Sequence, residues 1–248
     1  MKEDKVKDIF LVLLLMTAVG ARAQTTYTVT VKEGTVDAAN WSAAPNPAGE
    51  GQGVTIKYNG KKKVKIVTAV QKNLRPLAEA TTADLGKIAG ADGNIYNTKA
   101  AAEAAGTQAV AMIAYVGSET DHAAYKHGLA IALADEGKMI WNTAMSTCEG
   151  KNTSTGVANA AWLLPSKNQW NAMFKAFGGN EESYTGLDAA LATAGGDSSK
   201  LQSSFYWSST ESGDLSAYAY SFYSGQWYAR QKDYMNLYDS FVRACLAF

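Results

Sequence analysis

Net charge, histidine and cysteine are all in short supply in this 248-residue chain, and each shortage removes a class of function. Lysine plus arginine number 23 and aspartate plus glutamate number 23, so no net field draws the chain to nucleic acid or to an anionic membrane. The local basic run Lys61-Lys62-Lys63 reads as the solvated tip of a hairpin. The two histidines, His122 and His127, have Glu119 and Asp121 close by. A zinc site needs three or four converging ligands, so no metal site is expected. Gly-x-Ser-x-Gly elbows, phosphate-binding loops and zinc-protease motifs are all missing. The residues nominate neither a catalytic constellation nor a cofactor, and the expectation is that the protein is not an enzyme.

What is present begins with an address. Lys2, Lys5 and Lys7 precede the apolar run of residues 9–16, and Ala21-Arg22-Ala23 ahead of Gln24 has the small-x-small form of a cleavage site. Residues 1–23 are read as a signal peptide. The run falls short of the about 20 residues of a membrane span. An exported chain without a membrane span is expected, periplasmic, at the cell surface or secreted. Residues 24–72 alternate as short strands, with Tyr27, Val29 and Val31, then Val54, Ile56 and Tyr58, then Val64 and Ile66 after Asn59-Gly60. Asn59-Gly60 is a hairpin signal because both residues tolerate positive φ. This small β module can bury little core by itself. Residues 73–83 carry no period and read as a linker.

The second domain, residues 84–248, opens with a strand, a turn and a strand around Asp92-Gly93-Asn94, followed by a short alanine-rich helix. Residues 110–116 and 128–134 are continuous apolar runs, as expected of buried strands. Trp141, Ala144, Met145 and Cys148 share one face of a helix, so Cys148 points inward. Ser166 with Gln169 forms a capping box for a second helix, whose Trp170, Met173, Phe174 and Phe177 repeat the helical spacing before Gly178-Gly179. Strands resume at Phe205. Strands, two helices and closing strands make an α+β order.

The last stretch, about residues 206–248, carries Tyr218, Tyr220, Tyr223, Trp227, Tyr228, Tyr234 and Tyr238 among Ser, Gly, Asp, Asn, Gln and Arg230. That is the composition of a paratope, in which rigid aromatic anchors sit among adaptable small polar residues. A core of aromatic strands is the competing reading, since aromatics also form strands well.

Asp92-Gly93-Asn94-Ile95-Tyr96, Trp162-Leu163-Leu164-Pro165-Ser166, Tyr206-Trp207-Ser208-Ser209-Thr210-Glu211, Phe222 with Gly225, Lys232 and Val242-Arg243 together resemble the C-type lectin fold. The branch is the one shared by formylglycine-generating enzymes and by the variable proteins that diversity-generating retroelements alter in bacteria and phages. The residue 24–72 module likewise resembles those that precede functional domains in exported proteins of gut Bacteroidetes. The variable-protein resemblance implies a fixed scaffold with varied surface positions reachable from asparagine codons by adenine mutagenesis. Those positions here are Ser212, Asp214, Ser216, Tyr220, Ser221, Tyr223, Ser224, Tyr228, Asp233, Tyr234, Asn236, Tyr238, Asp239 and Ser240. They would recognise a protein or cell-surface ligand.

The fold resemblance also implies a bridge between the first helix and the last strand, which assigns Cys148 and Cys245 to a structural disulfide, as exported thiols often form. The cysteine pair that formylglycine-generating enzymes use would then be missing. Animal lectins hold calcium and sugar through Glu-Pro-Asn or Gln-Pro-Asp, and neither tripeptide occurs. A fixed-specificity adhesin or glycan-binding module of the same fold is the alternative, and an enzyme of the formylglycine-generating type a distant third.

Overall fold

The computed structural model describes residues 74–180, 183–233 and 240–248, together with the backbone of short strands between residues 8 and 66. The chain divides into two compact units, residues 1–73 with 104–106, and residues 74–103 with 107–248. The first carries β1 (Asp8–Ile9), β2 (Leu11–Leu15), β3 (Thr26–Val31), β4 (Trp41–Ala44), β5 (Ala48–Gly49), β6 (Thr55–Tyr58) and β7 (Lys65–Ile66). β3 pairs antiparallel with β2 and β5, β4 with β6, and β1 runs parallel to β7. Among the described residues, the strands on either side of Asn59-Gly60 take different partners, β6 with β4 and β7 with β1. β4 offers β6 four residues in register, against the two residues of β7. Residues 59–64, where the expected hairpin falls, lie outside the described residues.

The second unit is α+β. Its strands and helices run β8 (Arg75–Pro76), β9 (Ile88–Gly90), β10 (Asn94–Tyr96), α1 (Lys99–Ala104), β11 (Ala109–Val116), β12 (Gly128–Ala132), β13 (Gly137–Met139), α2 (Trp141–Ser154), β14 (Ala161–Leu163), α3 (Lys167–Ala176), α4 (Thr185–Gly195), β15 (Phe205–Gly213), β16 (Ser216–Ser221), β17 (Gln226–Gln231), β18 (Ser240–Val242) and β19 (Cys245–Ala247). One sheet, all antiparallel, has the order β14-β19-β12-β11-β9-β10-β8. A second has the order β13-β18-β15-β16-β17, antiparallel except where β15 meets β18.

Strand alternation sorts the interior into two clusters. Along β11, Ala111 and Ile113 face one cluster with Trp141, Ala144 and Cys148 of α2. Met112 and Ala114 face the other, with Trp170, Met173 and Phe174 of α3 and Leu187 and Leu191 of α4. The second sheet divides likewise: Trp207, Ala217 and Ala219 join the α2 cluster, and Tyr206, Tyr220 and Phe222 join the α3 cluster.

That sorting corrects the expected disulfide. Cys148 and Cys245 are both buried and both free. On β19 the odd side belongs to the α3 cluster, so Cys245 and Ala247 face away from α2, while Leu246 packs toward it with Cys148. Burial, with Glu136 a smaller influence, pushes the Cys148 thiol up to about 12, and burial raises that of Cys245 as well.

Two further expectations are corrected. Residues 74–83, read as a linker, are part of the second unit: Arg75 of β8 pairs with Ile95, and Leu77 and Ala80 are buried in the α2 cluster. The buried Asp84 anchors the segment, accepting from Arg75, from Lys87 at 3.1 Å and from the Thr81 amide at 2.8 Å. The sequence reading also counted two helices before the closing strands and passed over α4. Its alanine-rich stretch buries only Leu187 and Leu191, too sparse a stripe to stand out, and it ends at Gly196 with φ of +86°.

α3 forms where its cap demands. The Ser166 hydroxyl accepts from the Gln169 amide at 3.1 Å, and the Gln169 side chain accepts from the Ser166 amide at 2.6 Å. The helix is then fastened to β15, because the Lys167 amide donates to the Thr210 hydroxyl at 2.9 Å and the Ser209 amide to the Pro165 carbonyl at 3.0 Å.

Candidate functional surface

β15, β16 and β17 form a meander whose cross-strand pairs share a face. Tyr206, Tyr220 and Trp227 stand in one row, and Trp207, Ala219 and Tyr228 in the next, on the opposite face. The first face is covered near its middle by α3. Tyr220 has no exposed surface there; its ring lies 4.9 Å from Phe174, 4.8 Å from Phe222 and 5.1 Å from Trp227. Tyr220 is therefore core and not ligand-binding surface, because its register puts it under the helix.

Two serines are corrected in the same way. Ser221 is buried, its hydroxyl accepting from the Ser224 amide at 3.2 Å to shape the turn into β17. Ser240 is buried in β18, between β13 and β15. Gly225 completes the turn at φ of +71°, a conformation open to glycine, with its amide donating to Ser221 at 2.8 Å.

The remaining described positions lie on the rim. Tyr223 is 85% exposed and Tyr228 40% exposed, and Asp214, Ser224 and Asp233 are exposed. Ser212, Ser216, Tyr218, Trp227 and Arg230 are half-buried. Tyr228 meets Phe205 edge-on at 5.5 Å, and the Arg230 guanidinium lies 4.0 Å above the Phe205 ring. The Tyr228 hydroxyl accepts from Ser224 at 3.3 Å and donates to Gln226 at 3.4 Å. On the α3 face Lys167 stands 4.9 Å from the Tyr218 ring and 5.5 Å from that of Trp227, whose indole N–H donates to Asn171 at 3.3 Å. Asp233 accepts from Asn142 at 3.0 Å. Tyr234, Asn236, Tyr238 and Asp239 lie outside the described residues.

Sequence reasoning missed Phe205, Leu215, Gln226 and Lys167. Leu215, at the β15–β16 tip, is 77% exposed, an isolated leucine that no periodicity marks. Lys167 reaches the site only because the α3 cap is tied to Thr210, a contact across 43 residues that no local signal reveals.

The rim rests on a rigid interior. Lys232 is buried over the Trp141 ring at 4.7 Å, and its ammonium donates to Glu211 at 2.9 Å and to the Asp214 carbonyl at 3.0 Å. Arg243, wholly buried, donates to Asp135 at 2.6 Å and to the carbonyls of Ala132, Ser199 and Lys200 at 2.9, 3.1 and 3.2 Å. Tyr206 donates to the other Asp135 oxygen at 2.8 Å.

Elsewhere, a cleft lined by Gln108, Asp135, Glu136, Lys151 and Trp162 has its charges matched internally, with Lys151 and Glu136 at 2.7 Å. His122 accepts two backbone amides, from Ala124 at 3.2 Å and Tyr125 at 3.0 Å, and His127 is held 2.8 Å from the Ala80 carbonyl. Among the described residues no three His, Cys, Asp or Glu side chains gather as a metal site. Among them, too, no helix is long and apolar enough to cross a membrane.

No family model matches the chain, and no curated protein does. Among solved structures it is similar to a fimbrial protein from Bacteroides ovatus, at 14% identity and a TM-score of 0.44 over 92% of this chain. The chain spans 57% of that protein's length.

Proposed function

We propose that this is an exported binding protein in which a C-type-lectin-like domain presents the β15–β17 rim to a protein or cell-surface ligand. The signal peptide of residues 1–23 directs export, residues 24–72 act as a spacer module, and a retroelement varies the rim. The supporting observation is the split within one meander: Tyr223, Tyr228 and Leu215 are exposed, while Trp207, Tyr220 and Phe222 are wholly or almost wholly buried. Side chains on such a rim can change without disturbing the core, which is what a varied binding surface requires. Aromatic anchors at an interface commonly contribute 2 kcal/mol or more each.

The test is a Tyr223→Ser, Tyr228→Ser double variant assayed for attachment to bacterial cells and to their isolated surface proteins. Lost attachment with an unchanged melting temperature is expected, and retained attachment would overturn the proposal. Diversification is checked in the DNA beside the gene, where a reverse transcriptase and a near-copy of the region differing at adenines are expected.

A further inference from the structure

The geometry points to β17 as a docking edge that takes an extended, acidic peptide segment of the partner as an added strand. This deepens the binding role proposed above and rests on it, adding main-chain recognition to side-chain recognition.

Exposed sheet edges are templates for strand addition, and proteins blunt them with short strands, prolines and lysines. Among the described residues of the second unit, three of the four sheet edges follow that rule. β8 has two residues including Pro76, β14 has three, and β13 has three including Lys138. β17 does not: it is six residues, Gln-Trp-Tyr-Ala-Arg-Gln, free of proline, glycine, lysine and acid.

Its hydrogen-bonding phase can be read. The Lys232 amide donates to the Leu215 carbonyl at 3.0 Å, one step beyond the pair Ser216 with Gln231. In an antiparallel ladder bonded pairs alternate, so Arg230, Tyr228 and Gln226 direct their backbone groups to β16. Trp227, Ala229 and Gln231 direct theirs away from the sheet. Ala229, at the centre, is exposed.

Charge selects the occupant. Lys167 lies over Tyr218 and Trp227 on one face of this edge, and Arg230 over Phe205 on the other. An added strand presents successive side chains to alternate faces, so a segment with acidic residues toward α3 and β-branched ones on the other side meets Lys167 on one face and the Arg230–Phe205 stack on the other.

The probe is a short fluorescent peptide of threonine, valine and glutamate, compared with its lysine-for-glutamate counterpart, with the full chain as receptor. Binding of the acidic peptide is expected, with slowed amide exchange at Trp227, Ala229 and Gln231, and at least tenfold weaker binding of the lysine peptide. Ala229→Pro removes only an outward N–H, which an edge strand tolerates; it should keep the parent melting temperature and lose peptide binding at least tenfold. Lys167→Glu, favourable at a helix start, should weaken the acidic peptide and strengthen the basic one. No binding, equal binding of both peptides, full binding by Ala229→Pro, or concentration-dependent self-association through this edge would each overturn the inference. If Ala229→Pro keeps cell attachment while the double tyrosine variant loses it, the strand-addition idea falls and the side-chain surface stands.

Discussion

Tyr220 and Tyr223 are three residues apart, and one has no exposed surface while the other is 85% exposed. The same contrast separates Arg243, enclosed among four acceptors, from Arg230, lying across Phe205 at the rim. Residue type says nothing about which role a tyrosine or arginine takes here. Position does: Tyr220 stands on β16 under α3 and Tyr223 in the turn after it, while Arg243 lies between β18 and β19 and Arg230 on the edge strand β17.

The comparison breaks most readily at Arg243. Arg243→Met takes the cation from the half-buried Asp135 carboxylate and the donor from three backbone carbonyls, and removing one partner of a buried pair costs about 3–5 kcal/mol. Urea denaturation should show that loss or a chain that fails to fold, whereas Arg230→Met should leave the midpoint nearly unchanged. Trp207→Ala and Tyr220→Ala come next, each opening a cavity at a cost of about 3–5 kcal/mol; a thermal melt of Tyr220→Ala that matched the parent would return that tyrosine to the surface.

Asp84 should give a smaller, pH-dependent effect. Burial favours its protonated form, but hydrogen bonds from Arg75, Thr81 and Lys87 outweigh that and hold the carboxyl well below its ordinary value of 3.8. A folded value below the unfolded one means stability that is fully present above about pH 4 and lost as pH falls toward the folded value. Asp84→Asn should therefore cost about 1–3 kcal/mol at pH 7, and the gap to the parent should narrow in urea titrations at pH 3. Least of all, Tyr223→Ser and Leu215→Ser should each move stability by under about 0.5 kcal/mol; a larger shift in melting temperature would mean that the rim is part of the core.

Periodicity made much of this legible. The apolar runs at β11 and β12, the Trp141–Ala144–Cys148 face and the Ser166 capping box all appear where the spacing puts them. Local pattern failed where tertiary context decides. The segment around Leu77 has no period because it is two 3₁₀ turns pinned by Asp84, a residue whose partners come from both sides of it. The helical phase of Cys148 was readable, but the strand phase of Cys245 relative to α2 depends on how β19 enters its sheet. Within the site, the aromatic richness was visible and its division was not: Tyr220, Ser221 and Ser240 are interior because α3 and β13 cover them.

β19 lies second from the end in its sheet, between β14 and β12, although it follows both in sequence with β15, β16, β17 and β18 of the other sheet in between. β14 therefore has no place in the sheet until β19 joins it to β12. Contacts this distant in sequence make folding slow, and the sheet stays incomplete until β19 is in place. Removing residues 245–247 would take from β14 and β12 the strand that both pair with, so the rim depends on a strand that lies in the other sheet.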